Sequence, residues 1–110
     1  MSEHPIDRLY DQVLARKSAD PQRSYTAKLF KEGVAKCAKK VGEEGVEVAV
    51  AALTGDNRER VAESADLLYH LCVLWVASGV DPADVYEELR ARESRSGLDD
   101  KAARKGTGTK

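Results

Sequence analysis

Apolar residues recur at three- and four-residue steps along most of this chain. Ile6, Leu9, Tyr10, Val13 and Leu14 fall on one helical face and predict an amphipathic helix. Residues 18–24, SADPQRS, form a polar loop with a proline. Ser24 or Thr26 then caps a short helix through Phe30, which Gly33 interrupts. A long helix is expected from Val34 to Leu53. Thr54-Gly55 ends it, with the glycine in the left-handed stop conformation. Asp56 opens the next helix, with Glu59 as its capping-box partner. This helix runs to Ser78 and stops at Gly79. Asp81-Pro82 is a further start, with Asp as N-cap and Pro in the first turn, and the last helix ends near Arg95. No segment alternates at period two over a useful length. The predicted fold class is all-α with about five helices. Residues 1–95 form one domain, and residues 96–110 are a polar, Gly-rich tail expected to be flexible.

From Ala65 to Ala77 the pattern loses its polar face, apart from Asp66 and His70. A helix apolar all round must be covered all round. A chain of 110 residues makes one small domain with few helices to spare. The expected architecture is therefore a helical bundle completed by homodimerisation. Aromatic residues make up only 5%, so Leu, Val and Ala must build the core. The formal net charge of −1 gives no global pull toward nucleic acid or a membrane. The longest apolar run, Leu71–Ala77, is too short to span a bilayer. MSEHPIDRLY lacks the basic head and apolar run of a signal peptide, so a cytoplasmic location is expected. Cys37 and Cys72 show no CxxC or zinc spacing and read as small core residues in a reducing compartment.

KKVGEEGVEVAVAA, residues 39–52, sets Glu43, Glu44 and Glu47 within what reads as a buried helix. AESADLLYHL does the same with Glu63 and Asp66. Residues three or four apart share a helical face. Glu44 and Glu47 form one such pair, and Glu63 and Asp66 another. A tight Thr54-Gly55 connection makes the two helices antiparallel neighbours, with Glu47 and Glu63 at nearly the same height. Carboxylates on helices usually belong to a solvated face. Here apolar residues flank both pairs, Val46 and Val48 around Glu47, Ala65 and Leu67 around Asp66. That argues for a converging cluster of four. Like charges at close range repel, and either proton sharing or a cation resolves this. Oxygen donors without Cys or His suit Mg²⁺, with Mn²⁺ as a substitute, and Mg²⁺ in turn suits a phosphate ester.

Gly42 and Gly45 flank Glu43-Glu44, at about 1 kcal/mol each relative to alanine in a helix. They suggest close approach of a backbone or ligand, or tight helix packing. Lys28 and Lys31 lie on the short helix, and Lys36, Lys39 and Lys40 precede the acidic stretch. Lys40 shares a face with Glu43 and Glu44. These cations are candidate partners for phosphate oxygens beyond a metal. His70 lies on the Glu63–Asp66 stripe, where it would hydrogen-bond a metal-ligating carboxylate or sit as a satisfied, half-buried histidine.

ExxE in one helix and ExxD in the next resembles the all-α nucleoside triphosphate pyrophosphatases. SYTAKLFKEG, KKVGEEGVEVAVAA, AESADLLYHLCVLW and the tail RSGLDDKAARK together resemble the phosphoribosyl-ATP pyrophosphatase family over nearly the whole chain. The resemblance implies an all-helical dimer that hydrolyses phosphoribosyl-ATP between its α- and β-phosphates. The reaction requires Mg²⁺ and yields phosphoribosyl-AMP and pyrophosphate in the second step of histidine biosynthesis. Carried onto this sequence, the metal ligands fall on Glu44, Glu47, Glu63 and Asp66. Glu43, with Glu44 and Glu47, is placed in the catalytic set, where it would orient or deprotonate the attacking water. Ser24, Tyr25, Thr26 and Lys28 fall on the SYTxK segment and, with Lys36, Lys39 and Lys40, are expected to contact substrate. Position 45 is Gly where Ala or another helix former is common in the family. The cyclohydrolase fused to this domain in many bacteria has no counterpart here, which implies a separate enzyme for the next step. Two other readings compete: a house-cleaning pyrophosphatase acting on simple or damaged nucleoside triphosphates, and a non-catalytic, cation-binding helical dimer.

Overall fold

The computed structural model describes residues 4–93 and 104. Five helices span the described chain: α1 Pro5–Ala15, α2 Tyr25–Glu32, α3 Val34–Thr54, α4 Asn57–Ser78 and α5 Pro82–Ala91. Among the described residues there is no strand, so the all-α expectation holds. The chain divides after Val80, with α1–α4 in the first unit and α5 in the second. The last helix ends at Ala91, short of the expected Arg95. The tail lies outside the described residues apart from Arg104.

The helix ends follow from local chemistry. Ser24 caps α2, its Oγ accepting the Ala27 N–H at 3.1 Å. Gly33, at φ 99°, closes α2 and opens α3 in a conformation that side chains rarely adopt. Asp56 and Glu59 form the expected capping box. The Glu59 N–H donates to Asp56 Oδ1 at 2.9 Å, and the Asp56 N–H to Glu59 Oε1 at 3.0 Å. Gly79 is left-handed at φ 82°, and the Val80 N–H returns to the Trp75 carbonyl at 2.9 Å to seal α4. In the second unit, Asp81 caps α5 by accepting the Ala83 N–H at 2.9 Å.

Gly55 departs from expectation. Its φ of −96° and ψ of 179° are extended, not left-handed. Space, not torsion, calls for glycine here. A Cβ would stand 2.9 Å from the Ala51 carbonyl oxygen and 2.9 Å from Glu59 Oε1. The α3–α4 turn is tight because α4's own capping box folds back against the last turn of α3.

α4 is the centre of the first unit and packs against α1, α2 and α3. Val13, Leu29, Cys37, Cys72, Val73 and Val76 form the buried cluster, and Val73 is fully enclosed. Both cysteines are free and buried. Burial pushes the Cys72 thiol up to about 11, which leaves it protonated and unreactive near neutral pH. α4 is long and apolar enough by length and composition to cross a bilayer, but here it is the helix around which the first unit packs, and it carries Glu63 and Asp66.

Candidate active site

The α3–α4 hairpin brings one carboxylate oxygen each from Glu44, Glu63 and Asp66 within 4.8 Å of one another. The antiparallel pairing and the three-residue step on α4 produce this directly. Glu63 and Asp66 occupy one face of α4, and Glu44 meets them from α3. Glu47 lies outside this triad, yet its charge reaches Glu63. The Glu63 carboxyl is raised above its ordinary value first by desolvation, then by the negative charges of Asp66, Glu47 and Glu44. This is the electrostatic signature expected where carboxylates gather.

The carboxylates are not buried in a core, contrary to what their apolar flanks suggest. Glu43, Glu47 and Asp66 are exposed, and Glu44 and Glu63 are half-buried. One flank of each pair is open too: Val46 is 62% exposed and Ala65 is also exposed, while Val48 and Leu67 are half-buried. In this chain the valine-rich stretch of α3 faces outward, and only Cys37 and Ala51 of that helix are buried. Apolar neighbours in sequence did not mean apolar neighbours in space. A Cβ at Gly42 or Gly45 would meet nothing within 4 Å, so neither helix packing nor a close backbone explains those glycines within this chain.

Lys40 bridges the acidic cluster to the basic side. Its Nζ lies 3.2 Å from Glu43 and 3.8 Å from Glu44. The Lys40 hydrogen bond holds the Glu43 carboxyl below its ordinary value, helped by the fields of Lys39 and Lys36. The same bond raises Lys40, so both partners stay charged. Lys36 lies 4.0 Å from Glu32, across the α2–α3 junction.

The SYTxK segment divides its work. The Ser24 hydroxyl is used in the α2 cap, and Thr26 is buried with its Oγ1 bonded to the Tyr69 hydroxyl. Tyr25 and Lys28 face outward and line the cavities beside α2. His70 does not bond a carboxylate side chain. Its Nδ1 lies 2.9 Å from the Asp66 backbone carbonyl, and its Nε2 lies 3.1 Å from the Tyr25 hydroxyl. A carbonyl can only accept, so Nδ1 carries a proton, and in the neutral ring Nε2 accepts from the Tyr25 hydroxyl. Tyr25 and Tyr69 each meet the His70 ring edge-on, with centroids at 5.9 and 4.9 Å. Through this cluster the start of α2 is fixed to the turn of α4 that carries Asp66. Tyr69 was not singled out in the sequence, although its position three residues after Asp66 marks it as a neighbour on α4.

What this arrangement offers is a convergent carboxylate face for a hard cation, flanked by lysines for anionic oxygens. Comparison with known proteins agrees. The profile of the family described as phosphoribosyl-ATP pyrophosphohydrolase matches residues 6–93. The phosphoribosyl-ATP pyrophosphatase of Parvibaculum lavamentivorans is 60% identical over 99 residues, covering 90% of this chain and 91% of that protein. The protein of the same name from Azospirillum brasilense is 58% identical over 100 residues, covering 91% of this chain and 90% of its own. The like-named Paracoccus denitrificans protein is 49% identical over 104 residues, covering 93% and 96%. With its hairpin of carboxylates, its basic flank and a match that runs through all five helices, the chain belongs to the phosphoribosyl-ATP pyrophosphohydrolase family.

Proposed function

We propose that this protein hydrolyses phosphoribosyl-ATP to phosphoribosyl-AMP and pyrophosphate, the second step of histidine biosynthesis, and that it requires Mg²⁺. The observation that carries the reading is the convergence of Glu44, Glu63 and Asp66 from two adjacent helices. These three oxygen donors fit Mg²⁺, or Mn²⁺ in its place, and Glu47 completes the negative field beside them. When bound, the metal supplies neutralisation of the charge that builds on the leaving pyrophosphate.

The chain's own groups do the rest. Water attacks the α-phosphorus, a phosphorus–oxygen bond forms, and the bond to the bridging oxygen of the pyrophosphate breaks. Glu43, kept ionised by Lys40, lies beside Glu44 and orients the attacking water. Lys36, Lys39 and Lys40 stabilise phosphate oxygens, and Tyr25 and Lys28 contact the substrate where they line the α2 cavities. Ser24 and Thr26 act by holding that segment in place. His70 fixes the Tyr25 hydroxyl against the α4 backbone.

The working unit is a homodimer. Val46, Val50 and Leu53 of α3 and Val61 and Leu68 of α4 are exposed in the single chain, with Leu53 at 85%. Covering such side chains is worth about 1.5–3 kcal/mol each, and a second copy supplies the cover. The enzyme acts in the cytoplasm. The test is pyrophosphate release from phosphoribosyl-ATP, beside ATP and other nucleoside triphosphates, with and without Mg²⁺. Mg²⁺-dependent release from phosphoribosyl-ATP is the expected result. Release chiefly from simple triphosphates would move the chain to a house-cleaning role, and no release at all would overturn the reading.

A further inference from the structure

A sizeable opening lies beside the site, away from the carboxylates. It is a cavity of about 690 Å³ between the loop before α2 and α2 itself, lined by Gln22, Arg23, Tyr25, Lys28, Lys31 and Glu32, among others. Its size falls within the range that holds a small organic ligand. Its charge is lopsided. Arg23, Lys28 and Lys31 face one carboxylate, Glu32, and that carboxylate is shared with Lys36 at 4.0 Å. Among the described residues Arg23, Lys28 and Lys31 make no ion pair, whereas Lys36 and Lys40 are both engaged. Uncompensated cations at one opening, one of them a guanidinium, are suited to a phosphate.

The cavity also connects to the catalytic side. A smaller opening of about 190 Å³ shares Tyr25, Lys28 and Glu32 with it and continues to Lys36 and Lys40. Lys40 in turn lies 3.8 Å from Glu44 of the triad. Tyr25, at the junction, is 51% exposed and held by His70. One continuous basic track thus leaves the carboxylates and ends at Arg23 and Lys31.

Phosphoribosyl-ATP has two anionic ends, a triphosphate and the monophosphate of its second ribose. We propose that the α2 cavity binds this second end, a ribose phosphomonoester, through Arg23, Lys28 and Lys31, and so selects phosphoribosyl-ATP over simple nucleoside triphosphates. The inference rests on the proposed reaction for its substrate, and it adds Arg23 and Lys31 as specificity residues. Neither is part of the carboxylate machinery.

The test uses the full chain with Mg²⁺ and two substrates, phosphoribosyl-ATP and the same molecule with its monophosphate removed, N1-ribosyl-ATP. In the double variant Arg23→Gln/Lys31→Gln, KM for phosphoribosyl-ATP should rise about tenfold or more, with kcat nearly held. The kinetics with N1-ribosyl-ATP should move by less than about twofold. Equal losses on both substrates, or no loss on either, would overturn the proposal. Binding of ribose 5-phosphate, followed by NMR shifts, keeps the cavity testable apart from turnover. Should the wild-type protein release no pyrophosphate, the reaction assignment fails and this binding decides. Ribose 5-phosphate bound by wild type and lost in the double variant would support the cavity as a phosphomonoester site. No binding, or equal binding by both proteins, would overturn it.

Discussion

The two halves of α4 obey different rules. Its C-terminal half holds Cys72, Val73 and Val76 in the closed core, against α1 and α2. Its N-terminal half carries Arg58, Glu59, Arg60, Glu63 and Asp66, with Val61 and Leu68 exposed beside them. One half gives up solvent to fold the chain. The other keeps its charges near water and aims them, with α3, at a shared point. Carboxylates can gather here because full desolvation is not imposed on them; deep in the core the same cluster would be driven to protonate. Stability and chemistry are therefore separable along a single helix, and variants should report on one or the other.

The largest effect is expected at the charged half. Glu44→Gln or Asp66→Asn should lower pyrophosphate release from phosphoribosyl-ATP by about 10²–10³-fold or more. The same changes should raise, not lower, the melting temperature of the metal-free protein, since each removes repulsion. The sign extends to pH. Glu63 is raised above its ordinary value, so its contribution favours the folded, metal-free chain at low pH and is lost as pH rises through its folded-state value. A thermal scan from acid to neutral pH without metal should show Glu63→Gln gaining on wild type as pH rises. Saturating Mg²⁺ should stabilise wild type at neutral pH and not the variant.

At the packed half the outcome should invert. Leu29→Ala, in the cluster that α4 closes, should cost about 2–5 kcal/mol in denaturant melts. Leu53→Ser on the open face of α3 should change the stability of the isolated chain by less than about 0.5 kcal/mol. In the proposed dimer it should weaken association, read as a shift to the monomer by sedimentation. A Leu53→Ser protein that stays dimeric at all concentrations would move the interface elsewhere.

The glycines sharpen the contrast further. Gly55→Ala places a Cβ against the Ala51 carbonyl and should cost about 1–3 kcal/mol. Gly45→Ala meets open space within the chain and should stabilise it by about 0.5–1 kcal/mol. If Gly45→Ala stabilises the fold and also impairs turnover, the space beside position 45 is used by substrate or a partner. The capping box is a modest effect of the same order, and Asp56→Ala should cost about 1 kcal/mol.

Much of this was legible in the sequence. The helix starts at Asp56 and Asp81 and the stops at Gly33 and Gly79 follow from local chemistry and are found where expected. The three-residue steps of Glu63–Asp66 and the short turn were enough to bring α3 and α4 carboxylates together. What failed was inference of burial from sequence neighbours. Val46 and Ala65 flank the carboxylates in the chain but face outward, because helical periodicity places adjacent residues on different faces and only tertiary packing decides which face is covered. Gly55 was read by torsion, when the real constraint came from Glu59 folding back in space. His70 was placed on the correct stripe, but its partners, Tyr25 and the Asp66 carbonyl, depend on where α2 docks. Lys31 was read as a candidate phosphate partner, but its grouping with Arg23 was invisible until the loop and α2 enclosed a cavity.

The most direct test of the central claim sets wild type beside Glu63→Gln, in Mg²⁺-dependent pyrophosphate release from phosphoribosyl-ATP, with both proteins verified as folded. The account predicts that the variant melts at or above the wild-type temperature without metal, yet turns over at the background rate across the Mg²⁺ titration. A Glu63→Gln enzyme with near-wild-type turnover and an unchanged Mg²⁺ dependence would contradict it, and the carboxylate face of the α3–α4 hairpin would lose its claim to be the active site.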